Sequence, residues 1–169
     1  MSSRPDIEAQ VGRPLRAESD VVARCPLGLP VVVSVPPVLD DGTPFPTRYW
    51  LTCPLALARI GRIESVGGVR RLEAWIDADP LRRAALDATH RRYAADRDSV
   101  IQGEPTYLPS GGVAGSTAGV KCLHAHYADH AAGNDNPVGA AVAPYVEPLD
   151  CTRPCVVDGA RNPAWVEPK

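Results

Sequence analysis

The sequence predicts an α+β fold, mostly α, in which about four helices pack with a small two- or three-stranded sheet and a proline-rich irregular C-terminal tail follows. Three observations predict it. Prolines that suit a first helical turn follow capping residues at Pro54, Pro80 and Pro137. One β-branched run, VVVSV over residues 31–35, stands between Pro30 and Pro36. Eighteen prolines and fourteen glycines cluster at both ends and around residues 26–46, which calls for many turns and much irregular backbone.

Taken in order, residues 5–12 read as a short helix with Ile7 and Val11 on one side and Gly12 as its stop. Asp20 to Arg24 and Val31 to Val35 read as short strands, and the flanking prolines confine the second. The segment VLDDGTPFPTRYW is a turn-rich approach, with Asp41-Gly42 as a turn signal, delivering Tyr49 and Trp50 to the next element. In LTCPLALARIGRIESVGG, Thr52 or Cys53 caps a helix whose inner stripe is Ala56, Ile60 and Ile63. A second helix over about 69–78 is expected to bury Leu72, Trp75 and Ile76. Asp79 then caps a longer helix with Leu81, Ala85, Leu86, Ala88 and Tyr93 as its apolar positions. Its other face, with Arg82, Arg83, Arg91, Arg92, Asp96 and Asp98, reads as solvated. Residues 102–119 form a loop, and a helix over 120–132 follows. Asn136 caps a last short helix that Pro144 is expected to end or kink.

At 169 residues the chain is the length of one domain, 1–169, ending in an irregular tail at 146–169. A net charge of −2 lacks the basic footprint that nucleic acid or anionic lipid would require, so neither is an expected partner. The N-terminal MSSRPDIEAQVGRP lacks a signal-peptide pattern and no later stretch approaches the ~20 apolar residues of a membrane span, so a cytoplasmic location is expected. Five cysteines in a cytoplasmic chain are buried small residues or working thiolates rather than a disulfide framework.

The window GGVAGSTAGVKCLHAHYADHAAG holds five glycines, one cysteine and three of the four histidines. On a helix, Cys122, His126 and His130 recur every fourth residue with Asp129 beside them, a stripe of metal-capable side chains. The loop before them, with Gly115, Gly119 and Lys121, lets backbone amides approach an anion, although it lacks the spacing of a P-loop. Cys25 and Cys53 each precede a proline. Cys53 in particular stands at a helix N-terminus, where a lowered thiol pKa is expected. Cys151 and Cys155 form a C-x₃-C pair in the tail without a second such motif.

The stretches TRYWLTCP, KCLHAHYA and NPVG, set among CPLGLPVVVSVPP and RIESVGG, make residues 20–145 similar to the DUF501 family of uncharacterised bacterial proteins, in its actinobacterial style. No activity comes with the resemblance. It implies cysteines at Cys25, Cys53 and Cys122, histidines at His124, His126 and His130, and a cytoplasmic protein encoded near an exopolyphosphatase-like phosphatase and a septum-formation protein. A phosphatase or cell-division partner is implied on that ground alone.

The leading expectation is a metal centre, iron–sulfur in preference to zinc, assembled from Cys25, Cys53 and Cys122 and completed by His126 or a tail cysteine such as Cys151. If it is catalytic, His126 is the base and Asp129 its orienter. Two alternatives stand beside it. One is a metal-free regulator that binds phosphate, polyphosphate or a partner through the loop at Gly115, Gly119 and Lys121. The other is a thiol enzyme using Cys53 or Cys122 with a histidine base.

Overall fold

Residues 3–169 are described in the computed structural model of the chain. The first helix, α1 (Arg4–Val11), buries Ile7 and ends where Gly12 turns left-handed at φ 72°. An antiparallel sheet follows in the order β1 (Asp20–Arg24), β2 (Pro30–Ser34), β3 (Tyr49–Leu51). The β-branched run makes the central strand, buried at every position, and Pro30 takes the first residue, where a missing N–H is tolerated. Tyr49 and Trp50, expected only as an approach, belong to β3 and pair with Ser34 and Val33. Three residues are too few to show a strand's alternation.

The rest of the framework is helical. Cys53 stands at the N-cap of α2 (Pro54–Ser65), and Gly67, at φ 85°, separates it from α3 (Gly68–Asp77). A Cβ at Gly68 would enter the backbone and side chain of Ile63, so the turn between α2 and α3 needs glycine there. Asp79 accepts the Leu81 amide and caps α4 (Pro80–Asp98) as expected. After a long loop come α5 (Leu123–Ala131) and α6 (Pro137–Val146), the latter capped by Asn136 through the Gly139 amide. The described residues hold six helices rather than about four, because the short α1 and α6 are both secured by packing, against the tail and against α5.

Three expectations are corrected. Trp75 is not buried: it is 38% exposed and lies under the Arg82 guanidinium, 4.4 Å from its ring centre. Leu81 is exposed too, since the first turn of α4 projects past the core. Pro144 does not end α6, which runs on to Val146 because Val142, Ala143 and Val146 are buried and hold the last turn in place.

The tail is better ordered than its prolines suggest. It forms a hairpin, β4 (Val156–Val157) with β5 (Ala160–Arg161), laid on α1. Arg161 donates to the carbonyls of Ala9 and Gln10 at 3.3 and 3.2 Å. From α2, Arg59 reaches the carbonyls of Val146 and Pro148 and the carboxylate of Asp150, while Arg62 makes a two-pronged pair with Glu167. The main core, with Leu55, Ile60, Leu86, Leu123 and Val138 fully buried, lies between β2–β3 and these helices. No helix among the described residues is long and apolar enough to cross a membrane.

Candidate metal centre

The helical stripe read from the sequence separates on folding. α5 begins at Leu123, so Cys122 is its N-cap, extended at φ −146° and ψ 115°, and its side chain leaves the helical face. His126 is fully buried, with Nδ1 3.1 Å from Asn136 Oδ1 and Nε2 3.0 Å from the Val120 carbonyl. Burial pushes its pKa down to about 4, so the ring is neutral near pH 7. Asp129, also fully buried, accepts from Arg92 at 2.5 Å, Asn136 at 2.9 Å and Asn134 at 3.1 Å. It bears on His126 only through Asn136. Both nitrogens face oxygens inside the core, and the neutral ring donates to one of them; His126 faces none of the cysteines, and with Asp129 it joins α4, α5 and α6.

A histidine that the sequence did not single out belongs to the same layer. His90 of α4 accepts the Val113 amide on Nδ1 at 3.1 Å and donates from Nε2 to the Gly119 carbonyl, also at 3.1 Å. It therefore organises the glycine loop from below. The loop's amides are largely occupied: Gly112 donates to Ser116, Gly115 to Gly112, and Val120 to the Glu73 carboxylate. Gly115 and Lys121 adopt positive φ of 68° and 61°, and Gly119 sits against Glu73. At the N-terminus of α5, where an anion was expected, Glu64 already accepts the Leu123 amide at 2.7 Å.

The cysteines divide four and one. Cys25, just after β1, Cys53 at the start of α2, and Cys151 and Cys155 of the tail line one small, partly open cavity with Gln10 and Trp165. Cys155 was not among the expected ligands; its C-x₃-C spacing from Cys151 was the signal. All five cysteines are free thiols. Two N–H donors aim at this sulfur group, the Trp165 indole to Cys151 at 3.4 Å and the Gln10 amide to Cys155 at 3.6 Å. Gln10 Oε1 beside them is buried without a partner.

Cys53 does not have the lowered pKa expected of a helix N-terminus. Burial, joined by the nearby thiols of Cys155 and Cys25, pushes it up to about 11 against the pull of the Ala56 and Leu55 amides. Desolvation outweighs the helix dipole here, because the sulfur lies inside rather than at the rim. Cys155 is raised as well, mainly by burial.

The cavity measures about 10 Å³, room for roughly one water. Among the described residues, only Glu64, Cys122 and His124 place three metal-ligating atoms within 4.8 Å of one another. No three of the four sulfurs are therefore that close. A lone tetrahedral zinc with Zn–S of about 2.3 Å holds its sulfurs ~3.8 Å apart and leaves no such room between them.

Cys122 lies on another wall of the molecule. His124 Nδ1 is 3.3 Å from Glu64 Oε2, and its Nε2 is 3.2 Å from the Leu57 carbonyl. The hydrogen bond with Cys122, more than the Glu64 charge, raises the pKa of His124 against the effect of burial.

A family model described as "Protein of unknown function (DUF501)" matches residues 21–144, a span that contains Cys25, Cys53 and Cys122 and stops short of Cys151 and Cys155. No curated protein and no solved structure matches the chain.

Proposed function

The chain belongs to the DUF501 family, and we propose that it is an iron–sulfur protein whose cluster is held by Cys25, Cys53, Cys151 and Cys155. The observation that carries this is the convergence of four thiols, from three distant parts of the chain, on one small cavity. Cysteines that serve only as small apolar residues have no need of one another. Four thiolates are the usual ligand set of an iron–sulfur cluster, and sulfurs spaced more widely than one zinc demands favour it; because a cluster is larger than the cavity of about 10 Å³, the tail that carries Cys151 and Cys155 must shift outward to admit it.

When bound, a cluster supplies one-electron exchange. The chain's own residues account for the rest. Trp165 and Gln10 direct N–H groups at sulfur, which favours the more negative, reduced state. The fully buried Leu55 and the half-buried Leu29 line the cavity, with the exposed Leu27 beside them. Arg59 and Arg62 draw the tail over α2 and so bring Cys151 towards Cys53. The raised thiol pKa of Cys53 fits a buried ligand that loses its proton only to a metal. With all four sulfurs committed as ligands, no position stays open to a substrate, so the role is electron transfer rather than substrate activation. A reducing cytoplasm, where the thiols stay free, suits such a centre.

Anaerobic purification tests this. Iron and acid-labile sulfide are expected in equal amounts, roughly four of each per chain, with visible absorption that bleaches on reduction. Replacing Cys25, Cys53, Cys151 or Cys155 by serine should remove the iron, and Cys122→Ser should not. A folded protein that takes up no iron on anaerobic reconstitution, or whose four thiols hold one zinc instead, would refute the proposal.

A further inference from the structure

We infer that Glu64, Cys122 and His124 form a second, separate metal site that binds one zinc ion and leaves its fourth position open to the adjoining cavity. The three side chains come from the end of α2 and the start of α5, and their ligand atoms all lie within 4.8 Å of one another. Glu64 and His124 are each already oriented by a backbone bond that spares one ligating atom. The Leu123 amide takes Glu64 Oε1, and the Leu57 carbonyl takes the proton of His124 Nε2; Glu64 Oε2 and His124 Nδ1 then face each other at 3.3 Å, a contact that a metal ion would replace. That is the outer-shell support that metal-bound histidines and carboxylates commonly have.

The donor set selects the ion. A thiolate and an imidazole disfavour calcium and magnesium, which take oxygen, whereas zinc accepts sulfur, nitrogen and carboxylate oxygen together. One thiolate and one carboxylate also balance the charge of a divalent ion. A thiol–imidazole–carboxylate relay would need Cys122 and Glu64 on opposite ring nitrogens. Here Glu64 faces Nδ1, and a backbone carbonyl already holds Nε2.

Beside the cluster lies a cavity of about 400 Å³ that Cys122 and His124 line together with Tyr49, Trp50 and Leu57. Three protein ligands, two of them lining open space, is the arrangement of catalytic rather than structural zinc. The mostly apolar walls suit a small ligand that offers one oxygen donor to the metal. The site shares no residue with the four-cysteine cavity, so the two stand or fall separately.

The test uses the full chain, stripped with a chelator and then titrated with zinc. Zinc should protect Cys122 from alkylation, followed by mass spectrometry of a chymotryptic peptide from residues 108–127, in which Cys122 is the only cysteine. His124→Gln and Glu64→Gln should each weaken that protection by at least ~100-fold, beyond the usual 10–100-fold cost of losing an outer-shell partner. The far-ultraviolet circular dichroism and melting temperature of both metal-free variants should stay near the wild-type values, which shows that they fold. Cobalt in place of zinc should give a thiolate charge-transfer band that Cys122→Ser removes. Failure of zinc to protect Cys122 in the wild-type chain, or undiminished protection in both variants, would overturn the assignment. Fast alkylation of Cys122 that zinc does not slow would do the same and would favour a metal-free thiol centre.

Discussion

His90 and His126 meet edge to face in the buried layer between α4 and α5, with ring centres 5.9 Å apart and planes at 72°. His90 is held neutral by burial, with Asp87, Arg83 and Asp129 as the charged groups around it. A proton on Nδ1 would oppose the Val113 amide that this nitrogen now accepts. The pKa of His90 is thus lowered in the fold, and the unfolded chain binds the proton first as pH falls. Stability should be full above about pH 6.5 and decline below it. Urea midpoints between pH 7.5 and 5 check this, and His90→Asn, which keeps an acceptor near Nδ1, should reduce the slope and leave the part owed to His126, whose pKa burial also lowers.

Cys53 should be the slow thiol of the metal-free protein. A pKa raised from 9.0 to about 11 cuts its thiolate at neutral pH. Two pKa units correspond to about 100-fold less thiolate and a comparable fall in alkylation rate relative to the urea-unfolded chain. Time-resolved alkylation read by mass spectrometry measures it; equal rates in the two states would contradict a buried thiol.

Trp165→Phe keeps most of the ring but removes the N–H that Cys151 accepts. Iron content should persist, and the midpoint of the reductive titration should move to more negative potential, because a donor to sulfur favours the reduced cluster.

Asp129 is fully buried and accepts three side-chain donors, including the half-buried Arg92. Asp129→Asn removes the charge and turns an acceptor into a donor facing Arg92 and Asn136. A loss of about 3 kcal/mol is expected in urea unfolding. A change below ~0.5 kcal/mol would mean that the pair is solvated.

Two glycines make opposite predictions. Gly112→Ala would drive a Cβ into the His90 ring and backbone, so it should cost about 2 kcal/mol or more. Gly61, inside α2 with open space around it, should gain ~0.5–1 kcal/mol as alanine. Thermal melts of the two variants give both signs.

Much of the fold was legible in the chain because its signals are local. The caps at Cys53, Asp79 and Asn136, the stop at Gly12 and the β-branched strand are set by backbone chemistry within a few residues. β3 escaped because three residues carry no period, and Trp75 misled because a large aromatic on a helix does not declare which face meets the core.

The candidate sites show the same division. Residue identity alone shows which side chains have metal chemistry, that Cys25 and Cys53 each stand before a proline, and that Cys151 and Cys155 are a spaced pair. Local signals also put Cys122 and His124 at the start of a helix. Their partners are fixed by long-range packing. Arg59, Arg62 and Arg161 bind the tail down so that Cys151 and Cys155 reach Cys53, while the extended N-cap turns Cys122 away towards Glu64. Helical spacing relates side chains on a single element. Bringing thiols together across about a hundred residues depends on long-range ion pairs and packing, whose energies no local window contains.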